Sequence, residues 1–340
     1  MRRVYEFIES TPTSENYLRG IVLFGKNVAS YKFALAKSII ELASAGRDSV
    51  PLEELAAPFS RHLKEHLALC PTQTTSKTSR FLDACRKSNE GLLDEASLLE
   101  TTVRLGFNNV IDAFHVIGPS EIDTRFFIDE RSTSTKGIRL TESIQGIASE
   151  MGPQILAEVE ARWRLVESAW DMGVAQCLIE FDEGTGFLVP SSVRRRSLTS
   201  ARDSLHGYQK GMCFYCFRTV SLFGEGDDGS DVDHVFPFTL MRKGVASNLD
   251  QIWNLVLACR DCNRGVDGKF DRTPASKFVE RLARRNDYLI ESNLPIKETL
   301  IRQTGSTTEQ RFAFLQQMLS VSSQYLPARW EVEPRGISAF

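Results

Sequence analysis

The chain has 340 residues, of which 42% are hydrophobic and 25% are charged, and its formal net charge at pH 7 is −3. This length permits two domains, or one large domain with an appended module, and this apolar content permits hydrophobic cores. No apolar run approaches the ~18 residues that a membrane-spanning helix needs. The first residues also lack the apolar segment of a secretory signal, so we expect a cytoplasmic protein without a membrane partner.

The first 190 residues carry mainly helical patterns. Apolar residues at spacings of three and four predict a long helix from Thr13 to Ala45. The same spacing predicts further helices over residues 51–69, 79–88, 93–104, 108–116 and 140–172, the last interrupted at Gly152-Pro153. Residues 125–129 have strand character, and a hairpin is predicted over residues 174–189. With Pro190 as its boundary, the region 1–190 is predicted to be a mainly helical domain.

One short motif in this region has the form of a metal site. His62-Leu-Lys-Glu65-His66, in the second predicted helix, matches an inverted metalloprotease pattern. Five-residue patterns arise by chance, and no third ligand is evident nearby in the sequence. We therefore expect a solvated helix face here.

Four cysteines in two pairs dominate the second half of the chain. Cys213 and Cys216 are separated by two residues, as are Cys259 and Cys262. This spacing lets both thiolates of a pair face one ion, and two pairs complete the tetrahedral shell that zinc prefers. A redox role for either pair remains open but lacks the βαβ setting such motifs usually have. The pattern predicts a structural zinc site.

The segment between the two pairs is predicted to be a β-hairpin followed by a helix. Residues 217–222 have strand character, residues 224–230 form a polar turn, and Asp231 to Pro237 forms the returning strand. Residues 248–262 are predicted to be helical around Ile252, Leu255 and Val256.

The same segment contains the residue types that phosphodiester cleavage requires. His234 can act as a base near neutral pH, and oxygen donors from Asp233 and an asparagine suit magnesium or manganese rather than zinc. Neighbouring residues of a regular strand point to opposite faces. The backbone must therefore bend at Asp233 and His234 if both are to reach one phosphate.

Taken together, Asp231-Val-Asp233-His234-Val-Phe-Pro237, a later asparagine, and Cys259-Arg-Asp-Cys262-Asn263 followed by Lys269 resemble the HNH (His-Asn-His) endonucleases. The resemblance implies a ββα-metal fold for residues 191–290, with catalytic residues His234, Asp233, Asn254 and Asn263. By that resemblance His234 is the general base and Asn254 fixes the loop that carries it. Asp233 and Asn263 hold magnesium or manganese. Asn263 stands where many members have histidine, so the chain resembles a His-Asn-Asn subgroup.

Basic residues around this segment are candidate nucleic-acid contacts. The formal charge from Arg194 to Asp287 is +4, with 16 Lys and Arg against 12 Asp and Glu, whereas residues 1–193 carry −7. Such a basic segment suits the phosphates of DNA. The candidate contacts are Arg194, Arg195 and Arg196, on a helix predicted from Ser191, together with Lys210, Arg264 and Lys269.

The sequence thus predicts a mostly α protein. A helical N-terminal domain with a regulatory, partner-contacting or DNA-contacting role precedes an HNH nuclease module, and residues 291–340 form a C-terminal helix and an extended tail. We expect a metal-dependent DNA endonuclease that nicks one strand, with RNA as a possible substrate as well. The alternative is a non-catalytic, zinc-stabilised module that binds nucleic acid or protein. The architecture is similar to restriction and anti-phage defence nucleases such as those of the Zorya and Septu systems, which implies other defence components as partners.

Overall fold

The computed structural model describes residues 2–25, 29–76, 78–118, 120–171, 179–182, 187–190, 199–223, 229–246, 248–292 and 296–339. For residues 2–5, 168–171, 179–182, 187–190, 199–200, 296 and 298–299 it describes the backbone alone. The described part is mostly helical, as predicted, and no helix in it is both long and apolar enough to cross a bilayer. Two compact units are present: Pro12–Gly173, and a second unit formed by Met1–Thr11 together with Val174–Phe340. The N-terminal helix α1 (Arg2–Glu9) therefore belongs to the C-terminal unit, which the sequence pattern does not reveal.

The N-terminal unit is a helical assembly with a small sheet. Its helices are α2 (Ser14–Phe24), α3 (Tyr31–Ser44), α4 (Leu52–Leu69), α5 (Arg80–Asn89), α6 (Glu95–Thr101), which continues as a π-helical turn over Thr102–Gly106, α7 (Val110–Ala113) and α8 (Glu142–Asp171). Its strands are β1 (Ser49–Pro51), β2 (Val116–Ile117), β3 (Ser120–Glu121), β4 (Phe127–Glu130) and β5 (Gly137–Leu140). Strand β5 lies between β1 and β4 in an antiparallel sheet, and β2 pairs with β3.

The single helix predicted from Thr13 to Ala45 is wrong in one respect. Helix α2 ends at Phe24, Gly25 is extended with φ −61° and ψ 145°, and α3 begins at Tyr31. A Cβ atom on Gly25 would lie 2.4 Å from the carbonyl oxygen of Ile21, so glycine permits this close approach. The interruption predicted at Gly152-Pro153 is present in α8 as a kink at Met151.

The histidines of the His-x-x-Glu-His motif are buried, so the prediction of a solvated face is wrong for them. His66 stacks on Trp163 with the ring centroids 3.4 Å apart. Its Nδ1 lies 2.6 Å from Glu167 and its Nε2 lies 3.1 Å from Glu160. Those carboxylates raise the pKa of His66 against the opposing effect of burial. The histidines of this motif are therefore part of the core. Among the described residues, no group of potential metal ligands includes them.

The C-terminal unit places small strands among helices. Its strands are β6 (Ile179–Asp182), β7 (Phe187–Pro190), β8 (Thr199–Ser200), β9 (Ser230–His234), β10 (Leu255–Cys259), β11 (Thr273–Pro274) and β12 (Arg329–Trp330). Its helices after α1 are α9 (Ala201–Tyr208), α10 (Thr239–Arg242), α11 (Arg260–Arg264), α12 (Ser276–Glu291), α13 (Ile296–Thr304) and α14 (Thr308–Tyr325). The predicted hairpin is present as β6 and β7, to which β8 adds a third antiparallel strand. Helix α1 packs on α12, where the rings of Phe7 and Tyr288 meet edge to face at 5.4 Å.

The predicted pairing between the cysteine pairs is wrong. Residues 217–222 form isolated bridges rather than a strand, and the partner of β9 is β10 in an antiparallel ladder. Strand β10 occupies part of the segment that was predicted to be helical, and all five of its residues are buried. The short helix α11 follows it directly. The order is therefore two antiparallel strands and then a helix, with a long loop between the strands.

Candidate metal centre and histidine site

The four cysteines of the two pairs come together in the C-terminal unit, as the spacing predicted. Cys213 and Cys216 lie in the turn after α9, Cys259 ends β10, and Cys262 lies on α11. Their Sγ atoms all lie within 4.8 Å of one another, and all four residues are buried. This cluster ties the turn to the strand and to the helix that follows it.

The cluster fits a tetrahedral metal ion better than a disulfide. None of the four cysteines is disulfide-bonded, and the Sγ atoms of Cys216 and Cys259 are 3.8 Å apart. Two thiolates bound to one zinc ion at ~2.3 Å in tetrahedral geometry lie about 3.8 Å apart. Burial holds the pKa of Cys213 well above its usual value, so a thiolate there needs a nearby cation. Four soft sulfur donors at this spacing can hold a metal ion such as zinc.

The C-terminal tail covers the first cysteine pair. The backbone N–H of Arg335 donates to the carbonyl of Cys216 at 2.6 Å, and its guanidinium lies 3.0 Å from Asp261. A Cβ atom on Gly336 would lie 2.1 Å from the carbonyl oxygen of Phe217, so the tail approaches as closely as glycine allows. The tail thus packs back against this unit in extended form.

Asp233 is buried against a lysine. The Nζ atom of Lys269 lies 3.2 Å and 3.4 Å from the two carboxylate oxygens of Asp233, and Lys269 is fully buried. The hydroxyl of Tyr215 donates to the same carboxylate at 2.5 Å. Burial, followed by the charge of Asp233, raises the pKa of Tyr215 well above its usual value, which keeps the hydroxyl protonated as a donor. Asp233 is therefore already compensated by a cation and a hydrogen bond.

Asn263 contacts a different carboxylate. Its Nδ2 donates to Asp231 at 3.1 Å, and Arg264 also pairs with Asp231 at 2.9 Å. Asp231 and Asp233 are two apart on β9 and so share one face of the ladder. Both carboxylates on that face are engaged by positively polarised groups.

His234 projects from the opposite face of β9. The ladder pairs each residue from Ser230 to His234 with one residue of β10, with no bulge, so Asp233 and His234 point in opposite directions. The backbone bend that the sequence argument required is absent from this strand. The Nε2 of His234 lies 2.9 Å from the carboxylate of Asp250, and its ring lies beside that of Phe238.

Asp250 is a residue that sequence reasoning missed. It lies in the loop between β9 and β10 with 25% of its side chain exposed, whereas 12% of the His234 side chain is exposed. A carboxylate on one ring nitrogen of histidine fixes the tautomer and the ring orientation. No spacing signal connects position 250 with position 234, because the loop between the strands brings them together.

Asn254 fixes that loop from inside. Its Nδ2 donates to the carbonyls of Phe236 and Leu249 at 2.9 Å and 3.0 Å, and its Oδ1 accepts from the N–H of Phe236 at 2.8 Å. Asn254 is fully buried. These bonds tie both ends of the loop, next to His234 at one end and next to Asp250 at the other.

The predicted magnesium site does not fit this arrangement. Asp233 is paired with Lys269 and Tyr215, whereas Asn263 is bonded to Asp231. An ammonium group therefore lies where a divalent ion on Asp233 would bind. Among the described residues, the four cysteines are the one group of three or more His, Cys, Asp or Glu close enough to hold a metal.

Two predicted nucleic-acid contacts are also corrected. Lys210 is buried, and its Nζ donates to the hydroxyl of Ser10 at 2.5 Å, so it cannot meet phosphate in this conformation. Lys269 is also fully buried, so it cannot meet phosphate either. Arg264 is 57% exposed despite its ion pair and remains a candidate contact. The triplet Arg194, Arg195 and Arg196 lies outside the described residues.

Comparison with known proteins gave no match among protein-family models, curated proteins or solved structures. The residues and their contacts therefore carry the functional argument alone.

Proposed function

We propose that the C-terminal unit is a phosphodiester hydrolase acting on DNA, with His234 as its general base. The observation that carries the proposal is the hydrogen bond of 2.9 Å between His234 and Asp250 on a loop fixed by Asn254. A partly exposed histidine held by a carboxylate can accept a proton from water that attacks a phosphate. The cysteine cluster is proposed to hold structural zinc, which keeps β10 and α11 in place behind this site.

His234 takes the proton of the attacking water, and Asp250 orients the ring. Arg264 is the exposed cation on α11 that is available to a phosphate. We propose that the activity requires magnesium or manganese, as the resemblance to HNH endonucleases implies, and that the enzyme serves in restriction or anti-phage defence. Asp233 and Asn263 are each bonded to other side chains, and their arrangement does not fit a binding site for that ion.

One observation favours the alternative of a non-catalytic binding module. The carboxylate of Asp233 is neutralised by a fully buried lysine. Such an internal ion pair can be part of the folded core without any catalytic metal, as in a module that has lost its metal site. Nicking of supercoiled plasmid by the intact protein, in magnesium, in manganese and in chelator, separates the two functions. Open-circular product that depends on a divalent ion supports hydrolysis, whereas plasmid binding without product supports the binding module. A labelled RNA strand in the same assay tests the nucleic-acid class.

Asp250→Asn is expected to lower the nicking rate without unfolding the protein. The amide keeps a polar group beside His234, but it can donate as well as accept a hydrogen bond, so it no longer fixes the tautomer and orientation of the ring. The rate should fall at least about tenfold, as a part of the roughly 10²–10⁴-fold that a positioned base contributes. Asp271→Asn is the matched control, because Asp271 is exposed on the same unit and its substitution removes the same charge. Equal nicking by Asp250→Asn and the parent would contradict the role of Asp250.

A further inference from the structure

The N-terminal unit contains a cavity that the proposed hydrolase does not use. Its volume is about 610 Å³, and it lies between the start of α3, the loop that precedes α5, and the start of α7. Pockets that hold small organic ligands are typically 300–1,000 Å³ and mainly apolar, with a few polar groups that orient the ligand. Tyr31, Phe81 and Val110 supply apolar surface here. The cavity thus has the size and lining of a small-molecule site.

The charged groups among the described residues of this cavity are positive. Of the 16 described residues that line it, Lys32 and Arg80 are basic and none is acidic. Lys32 is 8% exposed, and its Nζ donates to the carbonyl of Val116 at 3.0 Å. In the part of the chain that the structure describes, no carboxylate lies within ion-pair distance of that ammonium group. A buried cation without a counter-charge is costly, so Lys32 favours an anion in the cavity.

A buried cation elsewhere in the same unit shows the contrast. Arg19 is as buried as Lys32, but it pairs with Glu158 through two bonds of 2.8 Å. His115, near Lys32, accepts from the backbone N–H of Phe126 at 3.0 Å and is therefore neutral. Burial, with smaller contributions from Arg125 and Lys32, lowers the pKa of His115 to about 3. The positive field of Lys32 is uncompensated within the described protein.

The start of α5 adds donors to the same cavity. Ser79 is the N-cap of this ten-residue helix and Arg80 is its first residue, and both line the cavity. The first N–H groups of an α-helix have no carbonyl partner within the helix, and such a terminus favours phosphate. The guanidinium of Arg80 is exposed and has no ion pair among the described residues. A guanidinium and an ammonium group together suit the several oxygens of a phosphate better than one carboxylate.

We infer that this cavity binds a small organic phosphate, with the phosphate at Lys32, Arg80 and the start of α5, and a flat apolar body against Tyr31 and Phe81. The inference is independent of the nuclease proposal, because every residue that carries it belongs to the N-terminal unit. A ligand bound there adds binding free energy to the folded N-terminal unit.

Pyridoxal 5′-phosphate tests the inference on the intact protein, because it is a flat organic phosphate that carries an aldehyde. The amine of Lys32 condenses with the aldehyde to an imine and releases one water. Borohydride then transfers a hydride to the imine carbon while solvent protonates the nitrogen, which leaves a stable secondary amine for peptide mass mapping. Burial lowers the pKa of Lys32 to about 8, so near pH 8 a large share of this amine is neutral and reactive.

The design has two matched comparisons. The first is 5-deoxypyridoxal, which has the same ring and aldehyde but no phosphate. The second is Arg80→Ala against Lys87→Ala, since both positions lie on α5 and are exposed but only Arg80 lines the cavity. Lys87 in the parent protein also serves as the internal reference for an ordinary exposed lysine.

The expected result is that pyridoxal 5′-phosphate labels Lys32 at least about tenfold faster than 5-deoxypyridoxal does, with each rate divided by that of Lys87, as one charge-assisted contact would give. Millimolar inorganic phosphate should suppress this difference between the two aldehydes, and Arg80→Ala should weaken it while Lys87→Ala leaves Lys32 labelling unchanged. Labelling of Lys32 no faster than Lys87, or equally fast with the two aldehydes, would overturn the inference.

Discussion

Cys259→Ser is expected to abolish stoichiometric zinc binding and, with it, the cooperative folding of the C-terminal unit. Cys259 joins β10 to α11, and its Sγ lies 3.8 Å from that of Cys216 within the four-sulfur cluster. Structural zinc contributes about 10–16 kcal/mol of apparent binding free energy in small zinc domains. This is comparable to the whole ~5–15 kcal/mol by which folded domains are usually stable, so loss of a ligand should leave the unit unfolded. Metal content by mass spectrometry and thermal unfolding by near-ultraviolet circular dichroism measure the two effects.

Cys85→Ala is the control for this experiment. Cys85 is fully buried in the N-terminal unit, and burial raises its pKa to about 12, so it remains a neutral thiol outside the cluster. The substitution should keep full zinc content and disturb the N-terminal unit alone. A Cys259→Ser protein with one bound zinc and the parental unfolding temperature would exclude the cluster as the metal site.

Lys269→Met is expected to destabilise the C-terminal unit by about 3–5 kcal/mol, the usual cost of removing one partner of a buried ion pair. The substitution leaves the carboxylate of Asp233 buried with the hydroxyl of Tyr215 but without its cation. The midpoint of urea unfolding should fall while zinc content is unchanged. Adding Asp233→Asn to Lys269→Met should recover much of the loss, because the uncompensated charge is then removed.

Lys277→Met serves as the comparison for charge removal. Lys277 forms a surface ion pair with Glu331 at 3.6 Å, and surface pairs contribute about 0–1 kcal/mol. If Lys269→Met were no more destabilising than Lys277→Met, Asp233 would have another source of compensation. If magnesium restored the urea midpoint of Lys269→Met, that source of compensation would be a divalent ion at Asp233.

The cysteine cluster was the feature that the sequence predicted best. Cysteine pairs separated by two residues occur mainly in metal and redox sites. Spacing and residue type therefore suffice to predict that Cys213 lies near Cys216 and Cys259 near Cys262. Helices with long apolar stripes were also predicted correctly, as α4 and α8 show. In both cases the signal is local in the chain.

Strand β10 was predicted incorrectly for a physical reason. Leu255 to Cys259 is a continuous apolar run, and such a run suits a buried strand or a buried helix equally well. The spacing of Ile252, Leu255 and Val256 favoured a helix. Pairing with β9 decides the outcome, because the ladder satisfies the backbone of a segment whose five residues are all buried.

The contacts around the candidate site could not be predicted, because they join residues that are distant in the chain. Asp250 reaches His234 across a loop, and Lys269 reaches Asp233 across 36 positions. The burial of His66 depends on Glu160 and Glu167 from α8. None of these partners differs in type or spacing from ordinary surface residues, so only the folded chain reveals them.

The central claim is that His234 activates water against a DNA phosphate, and the rate of plasmid nicking by His234→Ala tests it most directly. Wild-type and variant proteins with equal zinc content and equal unfolding midpoints should be compared in magnesium and in manganese. The wild type should convert supercoiled plasmid to open circles, and the variant should be slower by about 10²–10⁴-fold, the contribution of a positioned base. Nicking by His234→Ala at the parental rate would contradict the account.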